Sequence, residues 1–180
     1  MKKRIKNKKN KLIFLLIASL ILLIVLSFFF DIKTSIIISL SILLLASYII
    51  FKEKIGQELI VAFLIAIAWT SYYSYEYTSP NLMLGKINIF PLIAWTAGLV
   101  LLREIYEKIE NIKLIKITII YLLTLFALEY IGYYLLNIRL NNNFPSIFGM
   151  GIIHAPPVLK GFYILAGPIY ILITNYLKVK

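Results

Sequence analysis

Long apolar runs separated by short polar segments dominate the chain: Leu12–Phe30, Ser35–Phe51, Leu59–Tyr75, Ile89–Leu102, Ile117–Leu136 and Val158–Leu177. A bilayer core is crossed by about 20 apolar residues of helix, and strands of a membrane barrel would instead alternate in polarity. The pattern therefore predicts an all-α polytopic membrane bundle of six transmembrane helices. The first two runs are plain Ile/Leu/Ser stretches joined by only Asp31–Thr34, so they read as a helical hairpin. The fourth run is the shortest. Pro91 suits the first turn of its helix, and its membrane portion can begin near Ile87.

Composition agrees with lipid as the solvent. The apolar fraction is 61% and the charged fraction 15%, with a mean hydropathy of +0.89, whereas ordinary soluble domains are about half apolar and a quarter charged. The net charge of +11 would suggest nucleic acid in a soluble protein. Here the charges fall between the apolar runs, where basic residues bias orientation and meet anionic lipid headgroups. No nucleic-acid partner is expected; membrane lipids are.

Placement of Lys and Arg also sets an expected orientation. With the N-terminus inside, fifteen of the nineteen basic residues lie on the inner side, seven of them in Lys2–Lys11, and only Lys33, Lys86, Arg139 and Lys160 lie outside. Both ends are then cytoplasmic and the expected location is the cell membrane. The first run, with no small-x-small cleavage site after it, reads as a retained span rather than a signal. The expected organisation is one membrane domain over residues 1–180. It has a basic tail at 1–11, the hairpin at 12–51 and a four-helix functional part at 59–180, whose outer loop 137–157 folds back as a lid.

The chain has no cysteine and one histidine, His154. That excludes disulfides, thiol catalysis, Cys-ligated zinc and iron–sulfur clusters; no metal or other cofactor is expected. Chemistry must run on carboxylates, phenols, amides or one imidazole.

Glu129 lies inside the fifth run, about 18 Å along a core of about 30 Å. A carboxylate at that depth should face the bundle interior, and such groups mark function or bond a neighbouring helix. Thr118, Tyr121, Glu129, Gly132 and Tyr133 share its helical face. At the end of the third run, Trp69, Tyr72, Tyr73 and Glu76 follow i, i+3, i+4, i+7 spacing, so they are expected to make one face. Glu76 and Glu129, differently buried, are candidate catalytic carboxylates. Trp69, Tyr72, Tyr73 and Tyr133 are candidate substrate-binding residues, or an aromatic belt at the membrane surface. The outer loop adds Arg139, a candidate partner for a ligand carboxylate or for Glu76, and His154, a candidate acid/base or a hydrogen-bonded structural residue. Gly167-Pro168 predicts a kink in the sixth helix. On the inner side, Arg103–Lys116 reads as a helix end with i,i+4 ion pairs and an Ile105/Ile109/Ile112 seam, either solvated or a docking surface for a protein partner.

Tyr75-x-Tyr77 followed by Ile89-Phe90-Pro91-Leu92-Ile93-Ala94-Trp95 resembles the central motif of a family of membrane carotenoid-biosynthesis proteins that includes carotenoid hydratases. The resemblance implies a ligand of the long isoprenoid class and chemistry at a C=C bond. Hydration of an alkene needs a neutral carboxylic acid as proton donor and aromatic faces against the cation. Two other classes stay open: the substrate-binding subunit of a small-molecule transporter, and a non-catalytic subunit of a membrane complex. The Ala-x-x-x-Ala docking pattern common in the first run of such transporter subunits is missing here.

Overall fold

The computed structural model describes residues 2–78, 80–109, 114–141, 144–149 and 151–178, with side chains at all of these except 2–10, 12, 51–54 and 178. Its helices are α1 (Lys2–Leu26), α2 (Ile32–Tyr72), α3 (Ile89–Lys108), α4 (Leu114–Tyr130) and α5 (Pro157–Lys178). A π-helical turn, Ile131–Leu135, continues α4, and a two-stranded hairpin pairs β1 (Met83–Leu84) with β2 (Ile87–Asn88). Among the described residues, five helical stretches are long and apolar enough to cross a membrane: Ile32–Ile50, Ile55–Tyr72, Ile89–Lys108, Leu114–Leu135 and Pro157–Leu177. The described apolar part of α1, Ile13–Leu26, is shorter than these.

The first predicted run stops being helical at Leu26 rather than Phe30. Asp31 then starts α2: its Oδ1 accepts from the amides of Lys33 and Thr34 at 3.1 and 3.2 Å, satisfying donors that a helix start leaves orphaned. The expected break between the second and third runs is not present. α2 is one helix of 41 residues, because Lys52-Glu53-Lys54-Ile55-Gly56-Gln57-Glu58 holds good helix formers and a single glycine, with no proline to end the ladder.

The residues cluster into two compact units, Met1–Gln57 and Glu58–Lys180. In the first, α1 meets the first half of α2, and the Ser39 hydroxyl donates to the Ser19 carbonyl at 2.6 Å. Its apolar side chains, such as Phe14, Ile21 and Leu45, are largely exposed.

In the second unit, α5 carries the clearest buried face. Leu159, Tyr163, Ala166, Tyr170, Ile171 and Thr174 are all buried at the 3.6-residue period of a helix with one interior side. Pro168 lies within α5. Beside it, a Cβ on Gly167 would lie 2.8 Å from the Tyr121 ring, so the absent side chain lets α4 approach. The Tyr121 hydroxyl donates to the Tyr163 carbonyl.

Asn88 starts α3. Its Oδ1 accepts from the Phe90 amide at 3.0 Å, while its Nδ2 donates to the Tyr75 carbonyl at 2.7 Å and to Asn81 Oδ1 at 2.9 Å. One fully buried amide thus caps a helix and fixes the chain that leaves α2. Past α4, Leu136 N donates to Ile131 O and Ile138 N to Gly132 O. The chain then runs beside residues 76–78, with Thr78 N on Arg139 O and Asn141 N on Glu76 O, both at 2.8 Å, around a Tyr77–Leu140 bridge. Ile147, Ile152, Ile153 and Ala155 from the loop before α5 pack with Tyr75, Leu159 and Tyr163 into one buried cluster.

Candidate functional site: an aromatic cluster around Glu129

Glu129 is the penultimate residue of α4, just before the π-helical turn. Its carboxyl lies within hydrogen-bonding reach of the Tyr163 hydroxyl. The Tyr163 hydroxyl also meets that of Tyr75, which accepts from Trp69 Nε1 at 3.0 Å and lies within hydrogen-bonding reach of Trp95. A carboxyl, two phenols and two indoles so lie as a string of neighbouring polar groups, with the Trp69–Tyr75 hydrogen bond among them. Tyr75 and Tyr163 are almost fully enclosed, and Tyr77 and Tyr121 are also close enough to feel the Glu129 charge. Outside the helices, burial pushes the Tyr75 and Tyr77 phenols well above their ordinary pKa, so both stay neutral donors.

Rings wall the string. Phe162 stacks on Trp69 with centroids 3.7 Å apart, and Trp95 stands edge-on to Phe162 and Tyr163 at 5.1 and 5.0 Å. Tyr73 meets Tyr75 edge-on at 5.1 Å. Packed π faces attract positive charge, and the half-buried Glu129 carboxyl stands beside them.

One turn beyond Glu129, Tyr133 anchors a second group. The His154 ring stacks on Tyr133 with centroids 4.2 Å apart, and the Arg139 guanidinium carbon sits 4.6 Å from the same ring centre. Arg139 Nε donates to the Tyr133 carbonyl at 3.1 Å. Lys160 Nζ donates to the carbonyls of Pro145 and Ser146 at 2.7 and 3.3 Å. Burial and then the charges of Lys160 and Arg139 hold the His154 imidazole below its ordinary pKa. Ile153, just before it, has φ +51° with its side chain buried, a conformation that strains a β-branched residue.

The expected Trp69/Tyr72/Tyr73/Glu76 face does not form, because α2 ends at Tyr72. Tyr73 N still bonds Trp69 O, and the chain then extends to pair with residues 139–141. Glu76 is exposed and outside the aromatic cluster; it makes no ion pair with Arg139, which stacks on Tyr133 instead. Tyr72 packs on Trp69 at 5.8 Å but is 69% exposed. Asn142, Asn143 and Met150 of the loop lie outside the described residues.

Sequence reasoning passed over Tyr163, Phe162 and Trp95 as site residues. The signal for Tyr163 was available in its place on the periodic face of α5. It also missed a second polar group. Arg103, expected at a helix end, is buried: its Nε lies 3.5 Å from Glu58 and 3.1 Å from Glu107, and its Nη1 donates to Asn175. Asn175 Nδ2 donates to the Tyr106 hydroxyl at 3.1 Å, and the Tyr170 hydroxyl donates to the Glu58 carbonyl at 3.2 Å. α3 ends at Lys108, leaving Ile109 outside the expected seam, and Ile112 lies outside the described residues.

Comparison with protein-family models, with curated proteins and with solved structures gives no match to this chain. Among the described residues, no group of His, Asp and Glu is arranged to hold a metal ion.

Proposed function

We propose that this protein resides in the cell membrane and binds an apolar, isoprenoid- or lipid-like molecule at the aromatic cluster around Glu129. The observation that carries the reading is the place of the Glu129 carboxyl near the Tyr163 hydroxyl, beside the packed rings of Trp69, Phe162 and Trp95. An ionisable group in an apolar span is expensive, and it is retained where it meets a ligand or a partner. The same groups suit alkene hydration: the carboxyl gives its proton to one alkene carbon, the rings face the cation, and water adds to the other carbon and returns one proton to the carboxylate.

The proposed topology has six crossings with both ends in the cytoplasm. The fifteen-to-four division of basic residues supports it. It requires the chain to reverse within residues 51–58, inside the stretch that α2 spans.

The test is mass spectrometry of the lipid extract from protein purified in mild detergent. An isoprenoid or lipid enriched over bulk membrane, and lost in Glu129→Leu but not in a surface variant, supports the reading. A co-purifying polar vitamin-like molecule would instead favour the substrate-binding subunit of a transporter. A stable Glu129→Leu protein with an unchanged extract overturns the proposal.

A further inference from the structure

Arg139 and His154 both pack on the Tyr133 ring at the end of α4, and Lys160 at the start of α5, held on the Pro145 and Ser146 carbonyls, is close enough for its charge to act on His154. Among the described residues no carboxylate pairs with either cation. Among the described residues, the side-chain hydrogen-bond partner of Arg139 is the Tyr133 carbonyl, taken through Nε, and the forked end of the guanidinium has no acceptor there. His154 Nδ1 is enclosed and has no hydrogen-bond partner among the described residues, although buried polar atoms in folded proteins are nearly always satisfied. A forked guanidinium, an ammonium and an imidazole without an acid among them match the oxygens of a phosphate.

Location narrows the source of that phosphate. The group stands where two helices long and apolar enough to cross a membrane end and begin. Exposed Tyr130 and Tyr134 lie beside it, the setting in which aromatic rings mark the headgroup level. A lipid there would place its phosphate beside these three side chains and its apolar part towards the rings one helical turn away. We infer that Arg139, His154 and Lys160 form a binding site for the phosphate of a lipid headgroup. The inference rests on the proposed apolar-ligand site and names the polar end of that ligand.

The experiment titrates the purified full chain in detergent with dihexanoyl phosphatidic acid, dihexanoylglycerol and inorganic phosphate, reading bound adducts by native mass spectrometry. The expected result is an affinity at least about tenfold higher for phosphatidic acid than for the neutral lipid. Arg139→Gln and His154→Gln should each remove most of that preference, and if one variant does not fold the other decides. Equal binding of the two lipids overturns the inference, as does unchanged preference in the folded variants. Inorganic phosphate bound as tightly as phosphatidic acid would overturn a lipid source. The lipid extract of Glu129→Leu tests the apolar-ligand site separately. A preference that survives while no lipid depends on Glu129 thus removes only the proposed function. A Glu129-dependent lipid without the preference removes only this site.

Discussion

Arg103 and Glu58 lie 3.5 Å apart with 3% and 2% of their side chains exposed. Two charges so enclosed are stable only as a set, since removing one leaves the other without compensation. Glu107 and Asn175 share the guanidinium, so this set ties α2, α3 and α5 together.

Arg103→Ala should cost about 3–5 kcal/mol of stability. The paired replacement Arg103→Met with Glu58→Leu should cost clearly less than the sum of its single changes. Unfolding of the four proteins in one detergent gives the coupling energy; additive losses would mean that the two charges do not depend on each other.

Gly167→Ala should destabilise by about 1–3 kcal/mol, the usual cost of overfilling a packed site, because its Cβ would meet the Tyr121 ring at 2.8 Å. Tyr121→Ala in the same chain should recover part of that loss. Thermal unfolding of the single and double variants measures it, and a harmless Gly167→Ala would contradict the close approach.

His154 is held below its ordinary pKa by burial and by the facing charges of Lys160 and Arg139. The unfolded chain therefore binds this proton more readily than the folded one, and stability falls as pH drops through 6.5 towards the lower folded value. Melting temperatures compared between pH 7.5 and 5.5 should show the loss, and His154→Gln should shrink it. An equal pH slope in the variant would remove His154 as its source.

The chain is free of cysteine, so single cysteines at Gln57, Lys108 and Asn141 report topology directly. In intact cells an impermeant thiol reagent should label Asn141→Cys and spare the other two. Labelling of Gln57→Cys together with Asn141→Cys would place them on one side and refute the six-crossing arrangement.

Apolar runs the length of a bilayer made the helices legible, and the expense of a carboxylate among them singled out Glu129. Features set by distant residues were not legible in the same way. Arg103 looked like a helix-end charge because its partners Glu58 and Asn175 lie far away along the chain. The spacing Trp69, Tyr72, Tyr73, Glu76 fitted a helix, yet the Asn88 amide and the pairing with residues 139–141 draw the chain into an extended path after Tyr72. The charged stretch at 52–58 matched a loop by polarity, while its residue types are those that helices favour.

The π-helical turn at Ile131–Leu135 holds one residue more than an α-helical turn would between the same two points. That surplus makes the spacing between Glu129 and Arg139 a matter of counting. Removing one residue from Ile131–Leu135 would let the turn close to α geometry between those two points, with the chain after it keeping its place. The same removal from the α-helical part of α4 would rotate every later side chain by about 100° relative to what precedes it. The turn is thus the place in α4 where one residue can be lost and the basic group still stand beside Glu129.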